Sequence, residues 1–384
     1  MDAQQCDVAI LGGGLSGCLA ALALYHKRSD LDVRIVEAGL KFGGNHIWSF
    51  FDSDIADENR WLIEPLIHHS WDGYDVIFPE YLRTLDARYN SITSQRLDAV
   101  MRKRLPQPAL LTGCTIASAT SSQVTLENGE TIAAKGVIDT RGNGNLDTLD
   151  CGWQKFMGQQ LRLAKPHGLK RPVVMDAAVE QVDGYRFVYC LPFGPNDVFI
   201  EDTYYSETPD LDTQMLATRI SAYAAGRGWD VVSVERSETG VLPVVTGGNF
   251  EKYWASSGPD MAKAGARAGL FHPLTSYSLP DAVRFAAYIA DQDDVSGKAL
   301  AAVSHDYAKR QWKRAGYYRL LTKMLFHAAE PERRYIILQR FYTLPEKLIK
   351  RFYAGRSSML DRLRVLAGKP PVRISRAIAA LLKR

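Results

Sequence analysis

The stretch from Asp7 to Asn45 constrains the fold more than any other part of the chain. Cys6 to Leu11 is a short apolar strand that runs straight into Gly12-Gly13-Gly14-Leu15-Ser16-Gly17. Cys18 to His26 is apolar and helix-forming, and Val33 to Val36 reads as a second strand closing on Glu37. A strand, a tight turn, a helix and a strand, with GxGxxG across the turn, open a dinucleotide-binding unit. Gly12 permits the turn, Gly14 lets backbone approach a pyrophosphate, and Gly17 lets the helix pack closely on the strand. The helix amino terminus offers free N–H groups to phosphate oxygens. Glu37 follows about 20 to 25 residues on, where a carboxylate accepts hydrogen bonds from ribose hydroxyls. The segment is therefore expected to bind the ADP half of a dinucleotide.

Later residues favour FAD as that dinucleotide. Gly43-Gly44-Asn45 follows Glu37 closely, as a second glycine turn beside a cofactor would, and Gly44 and Asn45 are taken as contacts. Thr93 to Leu105 reads as a helix that carries Arg96, a further candidate near the flavin. Val124 to Ile138 alternates like a small hairpin sheet, in which Asn128-Gly129 predicts a type I′ turn. It ends in Val137-Ile138-Asp139-Thr140-Arg141-Gly142, and an apolar strand closing on Asp139 and Gly142 resembles the middle motif of large two-domain flavoproteins. The turn Gly265 to Gly269 leads toward an alanine-rich helix ending at Ala290, and Gly269 is assigned to phosphate or to the flavin edge.

At 384 residues the chain has room for two or three structural units. Strands rich in aromatics follow Cys151: Val173 to Ala177, Tyr185 to Leu191 and Val198 to Tyr205, with Gln214 to Gly226 interrupting them as a helix. The expected fold class is α/β, α+β overall, with a Rossmann-like FAD-binding domain, an inserted β-sheet substrate domain and a helical C-terminal region. The expected division is 1–150 and 239–298 for the cofactor domain, 151–238 for the inserted sheet and 299–384 for a basic helical region. Arg340-Phe341-Tyr342 is echoed by Arg351-Phe352-Tyr353 eleven residues on, the same face of a continuous helix, but Pro345 between them argues for a break.

Charge is unevenly spread. From Glu330 to the end, fourteen Lys or Arg stand against four acids, so this tail carries +10 and the remainder −6. Such a tail suits an anionic lipid surface or a solvated helical face; no nucleic-acid-binding module accompanies it. The longest apolar stretches, such as Ala20 to Tyr25 and Ala377 to Leu382, fall short of the roughly 18 to 20 residues that cross a bilayer. The start lacks the basic segment of a secretory signal, so a cytoplasmic location is expected. Five cysteines, dispersed and never in CxxC, argue against a disulfide framework or a zinc site, and no metal is predicted.

Several segments together resemble the bacterial flavin-dependent lycopene β-cyclases. They are the glycine-rich start, Gly43-Gly44-Asn45-His46-Ile47-Trp48-Ser49-Phe50, Pro166-His167-Gly168-Leu169, Tyr185-Arg186-Phe187-Val188-Tyr189, Ile200-Glu201-Asp202-Thr203, Leu270-Phe271-His272-Pro273 with Tyr277-Ser278-Leu279-Pro280, and Arg351-Phe352-Tyr353-Ala354-Gly355. The similarity runs over essentially the whole chain. Ser276 departs from it, standing where the resemblance leads one to look for glycine. The resemblance implies a glutathione-reductase-like flavoprotein fold and a reaction without net oxidation. Both ends of lycopene would close to β-ionone rings, giving β-carotene by way of γ-carotene, with FAD in its reduced form and NAD(P)H as reductant.

Such chemistry needs a proton delivered to the terminal C1=C2 bond, attack by C6 on the resulting cation, and loss of the C6 proton. Alkenes are poor bases, so the acid must be held neutral in a cavity that excludes water. Burial among apolar side chains keeps a carboxyl protonated at neutral pH. Glu201 and Asp202 are the candidates, and the resemblance points to the same pair. Alternation along a strand without a bulge allows only one of them to face the substrate, and it is the resemblance that prefers Glu201. Tyr185, Phe187 and Tyr189 share a strand face and either stabilise the cation or pack the core. His272 and His46 are candidates for assisting proton transfer. Because lycopene lives in the bilayer, peripheral contact with the inner face of an anionic membrane is expected, through the basic, aromatic stretch Tyr307 to Phe326. The rival readings are a redox flavoenzyme of the same fold, a monooxygenase or carotenoid desaturase, and a non-catalytic flavin- or lipid-binding protein.

Overall fold

The computed structural model describes residues 4–367 together with 375, 376, 379 and 380; most of the apolar run from Ala377 to Leu382 and the tail residues Lys369, Arg373, Lys383 and Arg384 lie outside them. The glycine turn belongs to a first sheet centred on the strand Gln4–Leu11, which pairs in parallel with Val33–Glu37 and with Thr131–Asp139. Val8 to Leu11 have no exposed surface, as a parallel strand covered on both faces requires, and this is why the run is apolar without alternation. Leu110–Thr112 extends one edge, and the antiparallel pair Ile116–Ala119 and Gln123–Leu126 extends the other. The helix Leu15–Lys27 packs on this sheet and against Leu279–Ala290, its alanines allowing close approach.

The hairpin at Asn128-Gly129 forms with a different turn from the type I′ expected. Gly129 is left-handed (φ 85°) while Asn128 is not among the positive-φ residues. The Gly129 N–H donates to Leu126 O, and Asn128 Oδ1 accepts from Glu130 N. This is a type I turn closed by a left-handed glycine, a geometry that needs only one residue at positive φ.

The second sheet is seven-stranded, in the order 231–248, 149–163, 197–206, 185–194, 173–176, 74–78 and 81–85. Its membership corrects the expected division at two points. The strand Val231–Gly248 continues through position 238, because residues 239–248 pair with 149–157 as 233–238 pair with 158–162. Residues 74–85 join this sheet by parallel pairing of Tyr74–Phe78 with Val173–Asp176. A small sheet of Ile47–Phe51, Tyr89–Thr93 and His69–Trp71 stands beside them.

The carboxy-terminal part is helical, with Gly297–Arg314, Gly316–Ala328, Tyr335–Phe341, Glu346–Tyr353 and Met359–Leu366. The repeated Arg-Phe-Tyr triplets end two separate helices that fold back on each other across Pro345. The Phe341 and Phe352 rings lie 4.6 Å apart, and the Tyr342 and Tyr353 hydroxyls hydrogen-bond at 2.7 Å. The stretch Tyr307 to Phe326, expected to meet a membrane, spends its apolar side on the core instead: Tyr307, Tyr318, Leu325 and Phe326 are buried, and Trp312 lies beneath the Arg319 guanidinium. Of the large exposed apolar residues described in this region, Leu320 lies on Gly316–Ala328 and the other four on Met359–Leu366. Among the described residues no helix is long and apolar enough to cross a membrane.

Candidate active site

The glycine turn has the form a pyrophosphate site needs. Gly12 is left-handed (φ 96°), and a Cβ on Gly17 would lie 2.0 Å from the Gly12 carbonyl oxygen, so no other residue fits there. A Cβ on Gly14 would meet nothing within 4 Å, which leaves open space at the amino terminus of the helix. That terminus has Gly14 as its cap, no side-chain capping bond and no acid in the first turn, so its N–H groups face the space uncompensated. Ser16 Oγ is buried without a partner. Glu37 turns its carboxylate into the turn, accepting from Gly13 N at 2.6 Å and Gly39 N at 2.7 Å. These residues fit the ADP part of FAD.

Two other glycine segments converge on this turn. Thr140 Oγ1 donates to the carbonyls of Leu11 and Gly12, and a Cβ on Gly12 would lie 3.1 Å from the Arg141 side chain, so Asp139 to Gly142 abuts the first motif. Asp139 itself is buried and already held by the Arg141 N–H and guanidinium. Gly142 is left-handed (φ 55°) over open space. In the later turn it is Gly265, rather than the assigned Gly269, that touches the first helix: its Cβ would lie 2.7 Å from Ser16 Cβ. Gly269 ends the 265–268 turn, facing the Tyr253 ring. Arg96 is exposed and its Nε donates to the Pro65 carbonyl at 2.9 Å, so the structure ties it to the 64–66 turn.

The segment after Glu37 links this nucleotide end to a cavity. Gly43 N donates to Gly13 O at 2.7 Å, and Asn45 Nδ2 donates to Ser237 O at 2.6 Å. His46 to Ser49 then form one wall of a cavity of about 250 Å³ on the inner face of the second sheet. Alternate residues of four adjacent strands form its floor, among them Phe156, Phe187, Tyr189, Phe199 and Glu201, and Thr275 to Leu279 close another side. Tyr185 lies deeper, packed against Phe187 and Tyr205.

Glu201 lines this cavity, where Thr203 Oγ1 donates to its Oε1 at 2.5 Å. Burial pushes its carboxyl up to about 7, so it holds its proton near neutrality. Asp202, the other proposed acid, is turned to the opposite face as strand alternation requires. It has no exposed surface and is locked to Arg186 by hydrogen bonds of 2.6 to 3.1 Å, a structural ion pair and not an acid facing the cavity. His272 is likewise not brought to Glu201. It lines a separate small cavity with Asp281, Arg284 and Trp312, its ring packed at a tilt against those of Tyr318 and Phe352. Burial pulls its imidazole down to about 4, so it is neutral. His46 does reach the Glu201 cavity, and burial there lowers its pKa too.

A second cavity carboxyl escaped sequence reasoning. Glu238 is 5% exposed, and burial and then repulsion from Glu201 raise it to about 8. Arg236-Ser237-Glu238 reads in sequence as an exposed charged stretch, and only the pairing of its strand with 149–163 puts Glu238 on the inner face. Ser276 is left-handed (φ 55°) and donates Oγ to Pro243 O at 2.6 Å, so the local backbone is the one that glycine would favour.

The family model described as Lycopene cyclase protein matches residues 7–379. The lycopene beta-cyclase of Pseudescherichia vulneris is 42% identical over 376 residues, covering 98% of this chain and 97% of its own length. That of Pantoea ananas is 41% identical over 376 residues, covering 98% of each. Among solved structures, the flavin-dependent brominase Bmp2 superposes with a TM-score of 0.62 at 11% identity, over 92% of this chain and 94% of its own, a likeness of fold. On the strength of a match that spans the glycine turn, the cavity strands and the C-terminal helices alike, this chain belongs to the lycopene cyclase family.

Proposed function

We propose that the protein closes both ends of lycopene to β-ionone rings, forming β-carotene by way of γ-carotene with no net redox change. The observation that carries this reading is a buried carboxyl, Glu201, on the wall of an aromatic cavity, where desolvation favours its protonated form. The reading extends to FAD, active in its reduced form and reduced by NAD(P)H. Gly12, Gly14, Gly17, Glu37 and the helix amino terminus would hold its ADP part, and the 43–45 and 139–142 loops would border it. Bound and reduced, the flavin supplies negative charge that stabilises a neighbouring cation.

The chain's own residues account for the proton chemistry. Glu201 donates to C2 of the terminal double bond, which leaves the cation on C1. The faces of Phe187, Tyr189 and Phe199 stabilise the cation without offering a strong nucleophile, by roughly 2 kcal/mol for a desolvated ring. The C5=C6 electrons form the C1–C6 bond, and loss of the C6 proton restores a double bond. The cavity wall keeps water, which would trap either cation, away from them.

Collecting lycopene requires contact with the bilayer, and Met359–Leu366 has the surface for it. Met359, Leu360, Leu363 and Leu366 share one face and are 74%, 78%, 60% and 47% exposed. Arg362 and Arg364 flank them in the basic tail, which suits the anionic, cytoplasmic face of a membrane. Expression in cells that accumulate lycopene tests the whole reading: a cyclic pigment of unchanged mass is expected. Addition of oxygen or loss of two hydrogens would make the protein a redox flavoenzyme instead. Glu201→Gln should abolish ring formation and retain bound flavin; substantial remaining activity would remove Glu201 from the role.

A further inference from the structure

We infer that Glu238 is the second catalytic carboxyl, the base that removes the C6 proton after Glu201 has donated one. The inference rests on the cyclase reading above. Gly158 pairs on one side with Glu201 and on the other with Glu238, so the three residues form one row across three strands. Paired residues point to the same face, which places both carboxyls on the cavity side, two strand spacings or about 10 Å apart at their Cα atoms. Gly158 leaves room between them for an aromatic ring: a Cβ there would lie 2.1 Å from Phe199 Cζ. An acid and a base thus flank an aromatic face.

Their partners divide the roles. Glu238 accepts from the Arg236 guanidinium and from the Ile47 N–H, both of which stabilise a carboxylate. Glu201 has the neutral Thr203 hydroxyl. Burial raises both carboxyls, Glu238 the further, to about 8 against about 7 for Glu201, and the two titrate as a coupled pair. The productive singly protonated form is the one with its proton on Glu201 and its charge on Glu238, where the Arg236 guanidinium and the Ile47 N–H receive it. The other titratable groups facing them are His46, Tyr189 and Tyr277 from neighbouring elements, with Asp202 acting on Glu201 from behind its strand.

The step balances. The Glu201 carboxyl loses its proton to C2, the C5=C6 pair forms the C1–C6 bond, and the Glu238 carboxylate takes the C6 hydrogen as a proton. The C–H pair left behind becomes the new C5=C6 bond. Each ring transfers one proton from Glu201 to Glu238, and the site resets when Glu238 releases it and Glu201 regains one. That interval coincides with turning the half-cyclised product to present its second end.

Glu238→Gln, assayed with reduced flavin and lycopene in micelles, tests the assignment. The expected loss of kcat is about 10²–10⁴-fold, with flavin content and melting temperature near wild type. The wild-type pH profile should be bell-shaped. Both limbs belong to the coupled pair. In the variant the acid limb should vanish, because activity no longer requires a carboxylate at 238, and the alkaline limb should move to lower pH as Glu201 loses a repelling neighbour. Glu238→Asp, which keeps the charge and shortens its reach, should recover part of the rate. Wild-type kcat and an unmoved profile in Glu238→Gln would overturn the inference. So would a loss of flavin and melting temperature in both variants with the profile of the residual activity unchanged, which marks a structural role. Wild-type protein that forms no rings would instead overturn the cyclase reading itself.

Discussion

Ser276 shows how a single residue is held in an unfavourable conformation by its surroundings. A left-handed backbone costs a non-glycine residue roughly 1–2 kcal/mol, offset here by the Oγ bond to Pro243 O, worth about 1 kcal/mol. Ser276→Gly should therefore change stability by less than about 1 kcal/mol, because relief of the backbone is balanced by the lost bond and a freer unfolded chain; a denaturant titration checks this. Gly17 is the opposite case. Gly17→Ala places a methyl 2.0 Å from a carbonyl oxygen and should lower stability by at least about 3 kcal/mol or prevent folding. The cavity acids set the pH dependence. Glu201 and Glu238 hold protons in the folded state up to about 7 and about 8, whereas unfolded they ionise near 4.5. Between these limits the folded state binds more protons, so stability falls as pH rises from about 5 to about 8. Glu238→Gln should flatten that fall, which melting temperatures across the range would show.

At the scale of elements, the last described helix carries the membrane reading. Met359–Leu366 is anchored by a capping box at Ser358 and by the Arg351 to Asp361 bonds of 2.6 and 2.7 Å, so its apolar face is presented on a fixed support. The protein should co-sediment with anionic liposomes at low salt, and added salt should weaken the binding. Replacing Met359, Leu360 and Leu363 together by Ser should abolish co-sedimentation while leaving turnover of micellar lycopene close to wild type. Equal binding by the triple variant would reject this helix as the contact. In the earlier helices, Gly297–Arg314 and Gly316–Ala328, the aromatic residues Trp312, Tyr307 and Tyr318 pack onto Phe250, Tyr288 and Phe352, while Leu320 is the one large apolar residue among those exposed to solvent.

For the whole molecule, one short segment links the two main sheets. The 43–45 segment bonds the glycine turn to the strand bearing Glu238, so cofactor and acid sites share a wall. FAD at 100 times its Kd should stabilise the protein by about 2.7 kcal/mol, and Gly14→Val, which fills the open space with a side chain, should remove both that stabilisation and bound flavin. The sequence by itself determined the first strand, turn and helix, the spacing of Gly12, Gly14 and Gly17 with Glu37 beyond them, and that Glu201 and Asp202 face opposite sides of their strand. Those conclusions rest on local spacing and on the two-residue period of a strand, which hold wherever the segment is placed. Tertiary structure alone decided that Gly265 rather than Gly269 meets the first helix, that His272 lies in another cavity, that Tyr307 to Phe326 faces the core, and that Glu238 stands opposite Glu201. Each of these depends on which strands pair and in what register. A register shift of one residue would turn Glu238 to the other face, and pairings between segments some 80 residues apart leave no periodic trace along either one.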